Sequence, residues 1–166
     1  MTMYGGAIMK ENRPVGKYFE EWNVGDGFET NGHTITKADI VTFAGLSGDY
    51  NPLHTNLLYA KQSVFGERVA HGFLIVAIAS GLINQMRLFE GTTEAYLGIA
   101  EAKFTRGVLV GDTIRCIGNI AEKRLTSKGG GLIKLQVNVV NQRNEVCQTR
   151  IANILITRRP AENKDS

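Results

Sequence analysis

Residues 73–83 read Phe-Leu-Ile-Val-Ala-Ile-Ala-Ser-Gly-Leu-Ile, a run without a single charged side chain. A helix that is apolar on every side lies either in a membrane or inside a protein. The run is well short of the ~20 apolar residues that span a bilayer, and the polar residues 84–87 follow it. The stretch therefore predicts a central helix that is enclosed by the rest of the fold. Its small residues would let a sheet approach closely: Ala77, Ala79, Ser80 and Gly81.

Alternating apolar and polar residues after residue 94 predict a series of strands. In Leu132–Asn141 the apolar residues occupy every second position up to Val139, which is the spacing of a strand with one buried face. Similar alternation predicts strands over residues 100–104 and 114–120, and a last strand from about Val146 to Thr157. Glycine-rich and asparagine-rich turns separate the later strands. We expect these four strands to form an antiparallel meander.

The residues before the central helix predict one strand and two further helices. Phe28–Ile35 is typical of a short strand, and Thr36 after it is a typical helix N-cap. The helix that begins there should end near Gly45–Gly48, because glycine terminates helices. A short loop over residues 49–54 then leads to a second brief helix that begins near Asn56.

This order of elements predicts an α+β fold in which an antiparallel sheet wraps around the long central helix. One long edge of that sheet lacks a partner strand, and an exposed edge favours pairing with a second copy. We therefore expect a homodimer with a continuous sheet, or a higher assembly of such dimers. We expect one domain over residues 14–158, between flexible segments at residues 1–13 and 159–166.

The composition argues against several classes of protein. The 19 basic and 16 acidic residues leave a net charge of +3, which is too small and too scattered for a nucleic-acid-binding surface. Cys116 and Cys147 are too few for a disulfide framework and fit a reducing cytosol. The first residues lack the apolar core of a signal peptide. We therefore expect a cytoplasmic protein without nucleic-acid or membrane partners.

The segment at residues 47–54, Ser-Gly-Asp-Tyr-Asn-Pro-Leu-His, places a carboxylate and an imidazole five residues apart. Pro52 biases Asn51 toward an extended conformation, so that Asp49 and His54 can converge on one pocket. An Asp/His pair is suited to moving protons near neutral pH. Their spacing alone fits a capping Asp49 and a surface His54 equally well.

The second candidate feature is Ala70-His71-Gly72, immediately before the central helix. A glycine at a helix start exposes N–H groups at the positive end of the helix dipole, where they can polarise a carbonyl that gains negative charge. Gly72 fits close packing as well, and we interpret His71 as a structural histidine. One Asp and one His are too few metal ligands, and neither His33 nor His71 stands at ligand spacing from them. We therefore predict no metal.

Two runs taken together, residues 48–56 (Gly-Asp-Tyr-Asn-Pro-Leu-His-Thr-Asn) and residues 70–74 (Ala-His-Gly-Phe-Leu), resemble the MaoC-like (R)-specific enoyl-CoA hydratases. Phe104-Thr105-Arg106 and Val110-Gly111-Asp112-Thr113 match a further part of the family pattern. The resemblance covers roughly residues 14–158. It implies a dimeric hot-dog fold, in which a sheet wraps around a central helix. It also implies the hydration of trans-2-enoyl-CoA to (R)-3-hydroxyacyl-CoA and the reverse dehydration.

The resemblance also implies roles for individual residues. Asp49 and His54 would hold and activate the water, with His54 mainly the base and Asp49 completing proton delivery to Cα. The N–H of Gly72 would donate to the thioester oxygen. Ser80 would line the acyl and pantetheine tunnel, Asn51 would support the loop, and we count both, with Phe73, as substrate-binding residues. This chemistry needs no metal or organic cofactor.

Two other functions are compatible with the same fold. A hot-dog acyl-CoA thioesterase needs a carboxylate that attacks, or activates water at, the thioester carbonyl, whereas Asp49 paired with His54 favours hydration. A non-catalytic acyl-binding subunit should lack the acid/base pair or Gly72, and this chain has all three groups. The sequence leaves the acyl chain open. Basic residues that could meet the anionic end of CoA are Arg68, Lys103 and Arg106.

Overall fold

A computed structural model describes residues 14–160 and shows an antiparallel sheet folded against one long helix. The helices are α1 (Lys37–Ser47), α2 (Pro52–Thr55), α3 (Leu57–Lys61) and α4 (Gly72–Gln85). The strands are β1 (Gly27–Glu29), β2 (His33–Thr34), β3 (Thr93–Phe104), β4 (Thr113–Leu125), β5 (Gly131–Val140) and β6 (Val146–Ile156). The sheet order is β1-β4-β5-β6-β3, and β2 also pairs with β4. The predicted α+β class and the sheet around a central helix are thus confirmed.

The ends of α1 follow the predicted signals. The hydroxyl of Thr36 accepts the N–H of Asp39, whose carboxylate accepts the N–H of Thr36 in return, so that the pair forms a capping box. At the other end Gly48 adopts φ 76°, a left-handed conformation that glycine adopts without strain, and its N–H donates to Ala44. This glycine directs the chain out of α1 toward the segment that carries Asp49.

The predicted strand Phe28–Ile35 is wrong in its middle, because two short strands replace it. Thr30 interrupts the ladder: its N–H donates to the carbonyl of Cys116, and its hydroxyl, not its carbonyl, accepts the N–H of Cys116. Pairing with β4 resumes at His33, which lies opposite Ile114. A side chain that replaces a backbone acceptor breaks a strand without changing its alternation of residues.

The predicted meander of four strands is also wrong, because β3 pairs with β6 and not with β4. Only β4, β5 and β6 follow one another as neighbours. Strand β3 therefore forms one end of the sheet, and among residues 14–160 its outer edge pairs with no strand. Most of its twelve residues are exposed, as expected for an edge strand. The predicted unpartnered edge is present; the homodimer built on it stays a prediction.

The central helix α4 is buried on one face only within a single chain. The buried face packs on the sheet through Leu74, Ile75, Ala79, Leu82 and Ile83. The opposite side leaves an exposed stripe that includes Phe73, Ala77, Ser80 and Asn84. Complete enclosure, expected from the apolar composition, therefore does not occur in one chain. Among the described residues no helix has the length and apolar character needed to cross a membrane.

The predicted flexible segments fall mainly outside the described residues, which exclude residues 1–13 and 161–166. Arg159, the first residue of the predicted tail, is tethered to the start of the domain. Its N–H donates to the carboxylate of Glu20 at 2.8 Å, and its guanidinium donates to that of Glu21 at 3.1 Å.

Candidate active site

Asp49 leaves α1 immediately after the left-handed Gly48 and is exposed. Its N–H donates to the hydroxyl of Ser47 at 3.2 Å, and its carboxylate accepts the N–H of Asn51 at the same distance. These local bonds form a tight turn that fixes the direction of the carboxylate. Asp49 is therefore positioned by its backbone neighbours and keeps most of its carboxylate available.

His54 lies on a one-turn helix, α2, and not on the loop that the sequence predicted. Pro52 occupies the first helical position, where its missing N–H costs nothing. The side chain of Asn51 caps this helix by accepting the N–H of Leu53 at 2.9 Å. The loop-supporting role predicted for Asn51 fits this contact. The helix turns the half-buried His54 inward, where its Nδ1 lies 2.7 Å from the carbonyl of Val69.

His71 lies against His54, although the sequence pattern indicated only a structural histidine, separate from the pair of Asp49 and His54. The two ring centroids lie 3.8 Å apart with the ring planes tilted by 33°, and the ring centroid of Phe43 lies 5.0 Å from that of His71. His71 is 2% exposed, and its Nε2 lies 2.9 Å from the main-chain carbonyl of Asp49. His71 therefore joins the two ends of the site: it supports the ring of His54 and holds the backbone of Asp49.

Both ring nitrogens that face carbonyls must carry a proton, since a carbonyl oxygen only accepts hydrogen bonds. His54 therefore donates from Nδ1 to Val69, and in the neutral ring its Nε2 keeps a lone pair that can take a proton. His71 donates from Nε2 to the carbonyl of Asp49, and within the described part of the chain its buried Nδ1 has no hydrogen-bond partner. In this arrangement the Nε2 of a neutral His54 ring can accept a proton, and His71 contacts that ring.

Asp49, His54 and His71 each present one ligand atom within 4.8 Å of the others. The sequence argument that His71 lies at no ligand spacing is therefore wrong in space, because the fold joins what the chain separates. Three such groups could hold a metal ion. Two of the four ring nitrogens of these histidines, however, already donate to carbonyls. One nitrogen on each of the two adjacent rings is therefore left as a ligand for a metal. The prediction of no metal stays a prediction.

A cavity of about 450 Å³ opens beside His54 and reaches the start of α4 at Gly72. Phe65, Phe73 and Phe104 form much of its apolar wall. Asp49 is not part of this wall and lies beside it, within the cluster around His54. The cavity has the composition expected for an apolar ligand that carries one reactive polar group.

Gly72 is held against the ring of Phe104, where a Cβ would lie 2.9 Å from Cε1. The N-cap of α4 is His71, whose side chain makes no capping hydrogen bond. The first N–H groups of the helix have no acceptor within the helix itself, so they are available to a ligand. Phe73, predicted to bind substrate, is 72% exposed and lines the cavity in edge contact with Phe104.

Ser80 is not brought to this cavity. It lines a second, smaller cavity of about 120 Å³ further along α4, together with Arg150 of β6. The other polar candidates are also divided: Arg106 lines the larger cavity and pairs with Glu145 at 3.2 Å, whereas Lys103 pairs with Glu101. The predicted tunnel along Ser80 therefore corresponds, in one chain, to two separate spaces.

Cys147 also lines the larger cavity, and it is the nucleophilic side chain there that a different chemistry would use. Burial raises the pKa of its thiol. A thiol with a raised pKa carries little thiolate near pH 7 and is a poor nucleophile. Near pH 7 this wall therefore presents little thiolate at Cys147, whereas it presents a ring nitrogen of His54.

His71 is the main site residue whose part the sequence analysis missed, since a histidine next to a helix start is ordinary by itself. The available signal was its position directly before Gly72, which places any cap residue near the ligand end of the helix. The carbonyl of Val69 was missed as well. It is fixed by an isolated bridge between Val69 and Leu109, which no local pattern indicates.

Comparison with known proteins agrees with this geometry. Residues 20–142 match the family model described as MaoC like domain. An (R)-specific enoyl-CoA hydratase from Rhodospirillum rubrum is 34% identical over 114 residues, covering 66% of this chain and 76% of the hydratase. A solved monoamine oxidase regulatory protein from Archaeoglobus has TM-score 0.83 and 35% identity, covering 87% of this chain and 97% of that one.

Protein MaoC from Klebsiella aerogenes is 41% identical over 112 residues, which cover 66% of this chain but only 33% of that protein. The chain thus spans about one third of the length of this relative. The family match, by contrast, extends over most of the described residues, including Asp49, His54 and Gly72. The chain therefore belongs to the MaoC-like domain family and has its hot-dog fold.

Proposed function

We propose that the protein is a hydro-lyase that adds water to a trans-2-enoyl thioester of CoA to give the (R)-3-hydroxyacyl thioester, and catalyses the reverse dehydration. The observation that carries this proposal is the hydrogen bond of His54 Nδ1 to Val69, which leaves Nε2 free as a base at the cavity that reaches Gly72. The names of relatives support it, among them the (R)-specific enoyl-CoA hydratase of Rhodospirillum rubrum.

The reaction uses the two ends of the cavity for two different tasks. A water held by Asp49 and His54 loses a proton to Nε2 of His54 as its oxygen bonds to Cβ. The electron pair of the double bond moves to the thioester oxygen, which the N–H of Gly72 stabilises. Asp49 passes the proton taken up by His54 on to Cα, as the electron pair returns from the thioester oxygen to form the Cα–H bond. One proton leaves water and one reaches Cα, so the acid/base pair returns to its starting charge.

The expected contributions are large enough to make a cofactor unnecessary. A positioned base contributes roughly 10²–10⁴ in rate. One oxyanion donor contributes on the order of 10²–10³. Water is a weak nucleophile and the β-carbon of an enoyl thioester only a moderate electrophile, so both contributions are needed.

The test is hydration of crotonyl-CoA, followed as loss of the enoyl absorbance, with the product assayed by an (R)-specific 3-hydroxyacyl-CoA dehydrogenase. Asp49→Asn and His54→Ala should each remove most of the rate while the protein stays folded. His33→Ala is the matched control, because His33 lies on β2 and pairs with Asp39 at 3.5 Å. Parental turnover in either site variant would show that the substituted residue does not carry the reaction.

The runner-up is an acyl-CoA thioesterase, and the same assay separates the two. Release of free thiol from acyl-CoA, without any change in enoyl absorbance, would replace hydration by thioester hydrolysis. A protein that binds thioesters and performs neither reaction would be a non-catalytic acyl-binding subunit. We further propose that the working unit is a homodimer joined along β3, located in the cytoplasm.

A further inference from the structure

Arg150 on β6 is a buried cation outside the acid/base cluster. It is 3% exposed, and its guanidinium donates one hydrogen bond, from Nη1 to Oε1 of Gln148 at 3.1 Å. Its Nε is buried and has no hydrogen-bond partner in the described part of the chain. No carboxylate among residues 14–160 forms an ion pair with it. Among residues 14–160 the neutral amide of Gln148 is therefore the hydrogen-bond partner of this charge.

An unpaired buried charge carries a large free-energy penalty, because a guanidinium keeps its proton and loses its hydration. Proteins accept that penalty where an anion completes the site. Arginine is well suited to this role, since its planar fork matches the two oxygens of a carboxylate. The geometry therefore indicates a ligand anion at Arg150.

The space for such an anion is the smaller cavity, of about 120 Å³. Arg150 lines it together with Ser80 and Asn84 of α4 and Tyr96 of β3, whose side chains add polar groups to a largely apolar wall. Gln148, the hydrogen-bond partner of Arg150, lines the larger cavity. The Gln148–Arg150 pair therefore connects the wall of the larger cavity to the smaller one.

The distance along α4 indicates which ligand could reach both ends. Eight residues separate Gly72 from Ser80, which corresponds to ~12 Å at the helical rise per residue. An extended chain advances about 1.2 Å per bond, so roughly ten bonds span this distance. The buried face of α4 between Gly72 and Ser80 carries Leu74, Ile75 and Ala79, of which Ala79 has the smallest side chain.

We propose that Arg150 binds a carboxylate at the far end of the acyl chain, so that the site selects ω-carboxylated acyl thioesters of medium length over uncharged ones. The proposal rests on the proposed function for the thioester end of the ligand. The carboxylate replaces the hydration that Arg150 has lost, and Ser80 and Asn84 supply further polar contacts. Shorter dicarboxylyl chains do not reach the guanidinium.

The experiment measures binding without turnover, so that it does not depend on catalysis. Isothermal titration calorimetry compares decanedioyl-CoA with decanoyl-CoA, two saturated thioesters that differ only in the terminal carboxylate. We expect decanedioyl-CoA to bind about 10- to 100-fold more tightly, the range of a charge-assisted contact. Arg150→Met should abolish that ratio, whereas Arg124→Met, at an exposed arginine of β4 paired with Glu122, should preserve it.

Equal affinities in the parent protein, or an unchanged ratio in Arg150→Met, would overturn the proposal. If Arg150→Met does not fold, Arg150→Lys replaces it, and a reduced ratio in that variant supports the same conclusion. If Arg150→Met turns a dimeric protein into a monomer and keeps the parental ratio of the two affinities, Arg150 pairs with a carboxylate of a second copy and not with the ligand. That result would contradict the proposal. If crotonyl-CoA is hydrated and the two ligands bind equally, only this inference fails; if neither thioester binds and crotonyl-CoA is not hydrated, the proposed function fails and this inference with it.

Discussion

The ring centroids of His54 and His71 lie 3.8 Å apart with the planes tilted by 33°, and each ring donates one N–H to a main-chain carbonyl near the other histidine. His54 donates to Val69, two residues before His71, and His71 donates to Asp49, five residues before His54. Two segments that are distant along the chain are thereby joined by reciprocal contacts. The position of the His54 ring and that of Asp49 consequently depend on one another.

This relationship predicts that His71 affects the reaction through position. His71→Phe keeps a ring against Phe43 and His54 but removes the donor to Asp49. We expect kcat to fall about tenfold or more, since small displacements of a reacting group are costly, and the free energy of unfolding to fall by about 1 kcal/mol. Crotonyl-CoA kinetics and urea unfolding measure both.

His33→Phe is the matched control for this substitution and should change neither quantity appreciably. A His71→Phe protein with the parental kcat and a lowered stability would show that His71 only supports the fold.

A substitution at Gly72 provides a steric test of the proposed contact between its N–H and the thioester oxygen. In Gly72→Ala the new methyl would lie 2.9 Å from Cε1 of Phe104, so the ring or the helix start must move. We expect a loss of roughly tenfold or more in kcat, because the N–H leaves its place relative to the thioester oxygen. Phe104→Leu in the same protein makes room for the methyl and should restore part of the rate. No restoration would mean that the N–H position is not what the methyl disturbs.

Cys116 predicts a pH dependence of stability. Burial raises the pKa of its thiol to about 11, against an ordinary value of 9.0. The unfolded chain therefore loses this proton first as the pH rises, so the contribution is complete below pH 9 and is lost between pH 9 and 11. The linked free energy amounts to about 3 kcal/mol at most.

Urea unfolding of the parent and of Cys116→Ala across this pH range checks that expectation. The variant should be less stable at neutral pH, since it leaves a cavity, and should lose less stability on the alkaline side. Lysine and tyrosine titrations are common to both proteins, so parallel pH curves would contradict the assignment to Cys116.

The cluster of Asp49, His54 and His71 makes a metal test necessary. We expect treatment with EDTA, followed by gel filtration, to leave the hydration rate unchanged, because the proposed reaction needs only proton transfer and the N–H of Gly72. Elemental analysis of the purified protein accompanies the assay. A stoichiometric metal whose removal abolishes activity and whose return restores it would replace this mechanism.

The free edge of β3 predicts self-association. Leu97 is 56% exposed and Tyr96 is 49% exposed on this edge strand. We expect sedimentation to give twice the mass of one chain, and Leu97→Asp to shift the equilibrium toward the monomer, since a charge on an edge strand opposes pairing. Leu46→Asp is the control at another exposed leucine, 82% exposed on α1. A parent protein that stays monomeric at micromolar concentration would remove the dimer proposal.

Local signals in the sequence were sufficient for α1 and for the start of α4, but not for α2, which carries His54. Thr36 and Gly48 predicted both ends of α1, because capping depends on the residue itself and its nearest neighbours. Asp49, His54 and Gly72 were selected as candidate site residues for the same reason, since proline, glycine and their spacing act within a few residues. The order of strands was not predictable in this way: the alternation in β3 is satisfied equally by β4 and by β6 as a neighbour.

Interactions between distant segments explain the remaining differences. The contact between His71 and His54 depends on the bridge between Val69 and Leu109. Leu109 lies on the connection between β3 and β4. The break at Thr30 depends on Cys116, more than eighty residues away. Ser80 lies on the predicted helix, but which cavity it reaches is decided by Arg150 and Tyr96 across from it.

The pairing of β3 with β6 also determines when the sheet can be completed during synthesis. Thr93–Phe104 leaves the ribosome long before Val146–Ile156, its only neighbour among the described residues. Contacts of such sequence separation slow folding, and until they form the nascent chain exposes a strand with neither side paired. A polypeptide released after Val140 would lack β6, leave β3 unpaired and be prone to aggregate. Synthesis of β6 is therefore required before the exposed edges of β3 can be paired.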